Sequence, residues 1–205
     1  LNIRVVLSHN GDAQITETRQ MDIDSEGTEC YIGLANMGQS TVHFLKVKDE
    51  TGREYEEVEW DIDRSREWKA GKCGIIRKRN GYELFWGLGD KGHRTYITSY
   101  TITSLVHAYP DADAIRHVFL DDAVRPKPEH VRLTISTDDG TPLNADSCGI
   151  WGFRFVGELS FEGDSIVVES TEPFQDASAL YVMASFPKGM FEPTIQEDDT
   201  FEHKK

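Results

Sequence analysis

Seven histidines, 36 acids and three cysteines could do chemistry in this chain, and their spacing assembles no familiar catalytic set. His9, His43, His93, His107, His117, His130 and His203 offer no close pair at metal-ligand spacing and no His-Glu-x-x-His. Asp22-Ile23-Asp24-Ser25-Glu26-Gly27 starts like a calcium loop, but the position six beyond the glycine, where a bidentate Glu is needed, is Gly33. An acid-rich turn is the expectation there, and the Asp61/Asp63 and Asp111/Asp113 pairs read as loop acids. Cys148 precedes Gly149 without the helix-opening context that activates a thiol. Gly87-x-Gly89-x-x-Gly92 has dinucleotide spacing, yet a strand pattern follows it where a helix is required. No catalytic residue, metal site or cofactor is assigned. Among the aromatics, Trp60, Trp68, Trp86, Trp151, Phe153 and Phe155 could floor a carbohydrate groove, although Trp86, Phe153 and Phe155 sit in strand patterns that suit a core. Two candidate binding residues remain: Trp68, in a charged loop, and His93, beside Gly92 in the central loop.

The elements that must position these groups are strands. Gly74 to Val106 is the stretch around which the chain is organised. Asn80-Gly81 between two strand-like runs is a strong hairpin signal, because a two-residue type I′ turn needs positive φ at both positions. That register sets Arg79 against Tyr82, Lys78 against Glu83, Ile76 against Phe85 and Ile75 against Trp86. From Thr95, the residues Tyr96, Thr98, Tyr100, Ile102 and Val106 share one face. Alternation rich in Thr, Tyr and Ile packs well on a pleated surface.

Elsewhere the same logic predicts a first hairpin through His9-Asn10-Gly11-Asp12, with Val6 opposite Ile15 and Arg4 opposite Glu17. Further strands are expected over 30–35, 41–48, 55–60, 117–120, 153–161 and 165–170, with alternation at Val131, Leu133 and Ile135 and at Leu180, Val182, Ala184 and Phe186. The polar segment 61–72 reads as a loop or one short helical turn, and Pro126 and Pro128 bracket a linker. About a dozen short strands separated by Gly, Asn and Asp turns argue an all-β, antiparallel β-sandwich. The expected organisation is one domain over 1–191, then an acidic polar tail or tether over 192–205.

With 22 Lys and Arg against 36 Asp and Glu, the net charge of −14 disfavours nucleic acid and electrostatic docking on a membrane. Cys30, Cys73 and Cys148 are too few for a disulfide scaffold; one Cys73–Cys148 bond or three buried thiols both fit. No apolar run is long enough to cross a bilayer, and no charged-then-apolar leader stands at the start of the sequence. Leu1 at the start fits either a mature chain from which a leader was cut or a removed tag.

Three phrases carry a family likeness: Gly11-Asp12-Ala13-Gln14-Ile15-Thr16-Glu17, then Trp86-Gly87 through His93-Arg94-Thr95-Tyr96-Ile97-Thr98-Ser99-Tyr100, then Phe186-Pro187-Lys188-Gly189-Met190-Phe191. In this order they resemble the extracytoplasmic domain of the predicted bacterial membrane proteins grouped as domain of unknown function 2207. Trp60-Asp61-Ile62-Asp63-Arg64-Ser65 and Ser170-Thr171-Glu172-Pro173-Phe174 are similar to members from gut Bacteroidetes. The resemblance implies a leader before Leu1, an ectodomain of this size and transmembrane helices after Lys205. It carries over no catalytic residue, since the family has no established activity. A Gly-x-x-Arg-x-Ile-Pro phrase common in the family is replaced here by Cys30-Tyr31-Ile32-Gly33-Leu34. The expectation is a non-enzymatic, membrane-anchored envelope domain, periplasmic or at the cell surface, that presents loops to a protein or a glycan. The alternatives are an envelope carbohydrate hydrolase using loop carboxylates and a cation-dependent adhesion module.

Overall fold

The structure is a computed structural model that describes residues 1–24 and 26–205. The acidic turn Asp22 to Gly27 contains Ser25, which lies outside the described residues. Alternating sequence becomes strand almost throughout. In chain order the elements are β1 (Asn2–Leu7), β2 (Ala13–Ile23), β3 (Glu29–Ala35), β4 (Val42–Asp49), β5 (Glu56–Glu57), α1 (Arg66–Lys69), β6 (Lys72–Lys78), β7 (Gly81–Gly87) and β8 (Gly92–Ile102). They continue as β9 (His107–Ala108), β10 (Asp113–Leu120), β11 (Arg132–Thr137), β12 (Gly149–Phe153), β13 (Gly157–Glu162), β14 (Ser165–Ser170), β15 (Leu180–Phe186) and α2 (Phe201–Lys204).

The strands form three mostly antiparallel sheets in an all-β, sandwich-like arrangement. A seven-stranded sheet runs β13-β14-β11-β1-β2-β8-β4. Two four-stranded sheets, β12-β15-β10-β9 and β3-β7-β6-β5, supply the rest. They approach each other where β3 comes beside β10. One apolar cluster joins all three: Ile3, Val5 and Ile15 from the large sheet, Leu34, Leu84 and Trp86 from one small sheet, and Ile115, Val182 and Phe186 from the other.

The two eleven-residue strands β2 and β8 pair from Ala13↔Ile102 to Ile23↔Gly92. On β8 the expected inward face holds, with Tyr96, Thr98, Tyr100 and Ile102 almost wholly buried. Both hairpin registers differ from expectation, the first by one residue and the second by two. Val5, not Val6, faces Ile15, and Ile3 faces Glu17, across a loop of five residues closed by Ser8 N–H to the Asp12 carbonyl at 2.9 Å. That register keeps Ile3, Val5 and Leu7 on the buried face, which a one-residue slip would expose. In the second hairpin Lys78 pairs with Gly81 and Ile76 with Glu83, so the turn is Arg79-Asn80. Gly81 serves close approach instead: a Cβ there would lie 2.1 Å from the Leu34 carbonyl oxygen on β3.

The 192–205 segment is packed, a correction to the solvated tail expected from its acidity. Ala108 donates to Ile195 at 2.9 Å, Glu197 donates to Ala108 at 2.8 Å, and Phe201 is buried against Tyr109 and Trp151. The Asp111/Asp113 pair explains the docking. Asp111 accepts from the Phe201 and Glu202 amides at 2.7 and 3.1 Å, and Asp113 accepts from Gly189 and Phe191 at 3.0 and 2.9 Å. Burial works against the Asp111 carboxylate, but the two amide bonds outweigh it and hold its pKa below the ordinary value. In the large sheet, β4 is an outer strand with a bulge between His43 and Lys46. Phe44 there has φ 58° and is 74% exposed. The three cysteines are free thiols, so Cys73 and Cys148 are not bonded.

His117 on β10 is buried against Phe119, with ring centroids 4.7 Å apart, and its Nε2 has no protein partner. Burial pushes the imidazole from 6.5 to about 4. The unfolded chain takes up this proton near pH 6.5 and the folded chain does so only near pH 4, so stability falls as the solution is acidified through that window. At roughly 1.4 kcal/mol per pKa unit, the full loss is about 3 kcal/mol. Urea midpoints recorded between pH 7 and pH 4 should therefore fall less steeply for His117→Leu than for the parent; equal slopes would contradict this. Gly81→Ala should cost about 1–3 kcal/mol in urea unfolding, since β3 must move to admit the methyl group.

Candidate functional site

Parity along β2 puts two charges on the face that points into the sandwich. Ala13, Ile15, Glu17, Arg19 and Ile23 are buried, while Gln14, Gln20 and Asp22 are exposed. Glu17 is 0% and Arg19 9% exposed. The pair survives burial because both Glu17 oxygens and one side of the Arg19 guanidinium are matched. Arg19 Nε and Nη2 donate to Glu17 Oε2 at 3.0 and 2.7 Å, and the Tyr100 hydroxyl donates to Glu17 Oε1 at 2.9 Å. Burial, then the neighbouring Glu17 charge, raises the Tyr100 pKa well above its ordinary value, so the phenol stays a donor. From the facing layer, the Trp86 ring lies 5.8 Å from the guanidinium carbon, a cation–π distance.

Two cavities open on Arg19. One, of about 200 Å³, lies between β3 and the segment after β10, lined by Arg19, Glu29, Cys30, Tyr31, Asp121 and Arg125 among others. The second, of about 540 Å³, lies between the end of β2 and the 124–130 loop, with Arg19, Asp22, His93, Arg125, Lys127 and His130 on its walls. Val124 and Arg125 border both, so the two form one groove with Arg19 at the junction. The loop wall is pinned in place. Lys127 donates to the Asp122 and Asp176 carbonyls at 2.7 and 3.1 Å, and Arg154 donates to Asp122 Oδ2 at 2.7 Å. Cys30 at the groove is pushed up to about 11 by burial against the opposing pull of Arg19, which makes it a poor nucleophile at neutral pH.

His93 comes to this groove. It is the second residue of β8, not part of a loop, and its Nδ1 lies 2.9 Å from Asp22 Oδ1 at the exposed rim. Trp68 does not. It is half-buried on α1, 6.1 Å from Trp60, with the Arg64 and Lys72 cations 5.4 and 5.2 Å from its ring. It ends a row of rings that continues through Trp60, stacked on Phe85 at 5.6 Å, to Tyr31 at 5.5 Å from Phe85. Glu29 ties that row to the groove. Its Oε2 accepts from Trp60 Nε1 at 2.8 Å and lies 3.1 Å from the buried Lys69 Nζ. Sequence reading passed over Glu17 and Arg19, although their phase with Ala13, Ile15 and Ile23 was a usable signal. Among the described residues no three His, Cys, Asp or Glu side chains are grouped to hold a metal.

These features define a class: an all-β sandwich-like protein with an arginine-floored groove between its layers. No family model matches the sequence, and no curated protein matches it. Among solved structures, the chain is similar to one titled a "putative protease" from Parabacteroides distasonis, with TM-score 0.44 and 14% identity over 90% of this chain and 39% of that one. It is also similar to a "putative nutrient binding protein" from Legionella pneumophila, with TM-score 0.44 and 12% identity over 89% of this chain and 64% of that one. The chain thus spans less than two thirds of either structure's length, and likenesses this distant assign it no activity.

The buried pair generates a stability prediction. Glu17→Ala strands the guanidinium and should cost about 3–5 kcal/mol in urea unfolding. Tyr100→Phe removes one bond to a charged acceptor and should cost about 1.5–3 kcal/mol. A Glu17→Ala cost below that of Tyr100→Phe would show that the pair is not held as described.

Proposed function

We propose that this chain is a non-enzymatic, extracytoplasmic binding domain of a membrane-anchored bacterial envelope protein, taking a protein or glycan ligand in the Arg19 groove. The observation that carries the reading is that both cavities share Arg19, a buried charged side chain fixed in place by Glu17 before any ligand arrives. Such preorganisation lowers the entropic cost of binding. The envelope location and the anchor rest on the three phrases shared with domain of unknown function 2207.

Isotope-labelled protein titrated with envelope oligosaccharides and peptides should show its first amide shifts at Arg19, Tyr31 and Val124, with every added molecule recovered at its original mass. Shifts confined to other surfaces, or cleavage of an added oligosaccharide, would overturn the binding reading. For the location, a membrane-impermeant amine reagent applied to spheroplasts with an intact inner membrane should label the native gene product; labelling only after that membrane is broken would overturn it.

A further inference from the structure

Arg19 is bonded on one side only. A guanidinium has two forks: a side-on fork of Nε–H with one Nη2–H, and an end-on fork of one N–H from each Nη. Glu17 occupies the side-on fork, through Nε at 3.0 Å and Nη2 at 2.7 Å. No described residue accepts from Nη1, although the side chain is nine-tenths buried. Glu17 has no spare oxygen to turn toward it, since Oε1 is taken by Tyr100 at 2.9 Å. A charged donor side is thus held by Glu17 on a side chain nine-tenths buried that lines both cavities, where an acceptor gains more than it would on the open surface.

We propose that this end-on fork binds the carboxylate of an acidic sugar, a uronate or sialate residue. The inference rests on the binding-domain reading and narrows its ligand. The larger cavity offers an anion a local excess of cations, Arg19, Arg125 and Lys127 against Asp22 and Glu129, while the adjoining wall adds Glu29 and Asp121. Its two histidines are engaged, His93 with Asp22 at 2.9 Å and His130 with Glu169 at 2.8 Å. A planar carboxylate matches a two-donor fork with one charge, whereas a phosphate dianion would meet the acids Glu29 and Asp121 on the adjoining wall. Those walls suit the rest of a sugar. Tyr31 presents a ring 41% exposed beside Arg19, a surface for the C–H face of a pyranose. Asp121 uses Oδ1 for the Ala123 amide at 3.1 Å and leaves Oδ2 without a protein donor among the described residues, an acceptor for ring hydroxyls.

The test titrates the full chain with sodium glucuronate and N-acetylneuraminate, with glucose and N-acetylglucosamine as neutral counterparts, and with acetyl-dialanine and inorganic phosphate. The readouts are the Arg19 Nε–Hε resonance and the dissociation constant. The acidic sugars should shift that resonance and bind at least about tenfold more tightly than the neutral ones. Ala123→Glu, an added anion at an exposed groove position, should weaken them about tenfold. Arg19→Lys, which keeps a cation beside Glu17 and removes the fork, should do the same; if it fails to fold, Ala123→Glu still decides. Equal binding of neutral and acidic sugars in the groove overturns the carboxylate inference and leaves the binding domain standing. Dialanine or phosphate binding there in place of sugar overturns the sugar class, and no binding by any probe removes both readings.

Discussion

Glu17 and Arg19 lie on the inward face of one strand, and taking both out of water costs several kcal/mol per ion unless each donor and acceptor is met. The rest of the sandwich meets that demand for Glu17 and for one side of Arg19. Tyr100 reaches across from β8 to the second carboxylate oxygen, and Trp86 brings its ring from the opposite layer to the guanidinium. The eleven-residue ladder between β2 and β8 holds these partners in register. An apolar pair at the same positions would pack at least as well, so the ions are a costly choice if stability alone is considered. What they add is a cation in a fixed orientation where the two layers part.

The same economy of partners recurs where acids were read as loop ornaments. Asp111 anchors main-chain amides of the last segment, Asp113 those of the turn leading into it, and Asp122 holds Arg154 against the loop that walls the groove. In a chain with 36 acids, these carboxylates act as receivers for backbone and guanidinium donors. Acidity in the final stretch therefore misled: Phe201 and Ile195, spaced among its charges, are what the sheet covers.

Much of the fold was legible because β8 and β15 alternate cleanly, and alternation is a local property of the chain. Register was not. Asn80-Gly81 is a strong turn signal, but its glycine is claimed by the backbone of β3, a neighbour 47 residues earlier in the chain (Leu34 to Gly81). The site divides in the same way. His93 could be singled out from its glycine neighbour, and Trp68 from its charged surroundings, yet nothing local distinguishes a groove rim from a ring clamped between Arg64 and Lys72. The parity of Glu17 and Arg19 was present in the sequence. Their meaning needed Tyr100, Trp86 and the 124–130 loop, all brought there by folding.

In the large sheet, β1 pairs in parallel with β11, from Asn2↔Arg132 to Leu7↔Thr137, while its other side pairs with β2. The middle of the sheet therefore waits on residues made 130 positions later. During synthesis β2 and β8 can zip together, but the opposite flank of β1 stays an open edge until β11 has emerged. A nascent chain stalled before residue 132 would thus expose one side of β1, which makes late translation a stage at which this protein is open to misassembly.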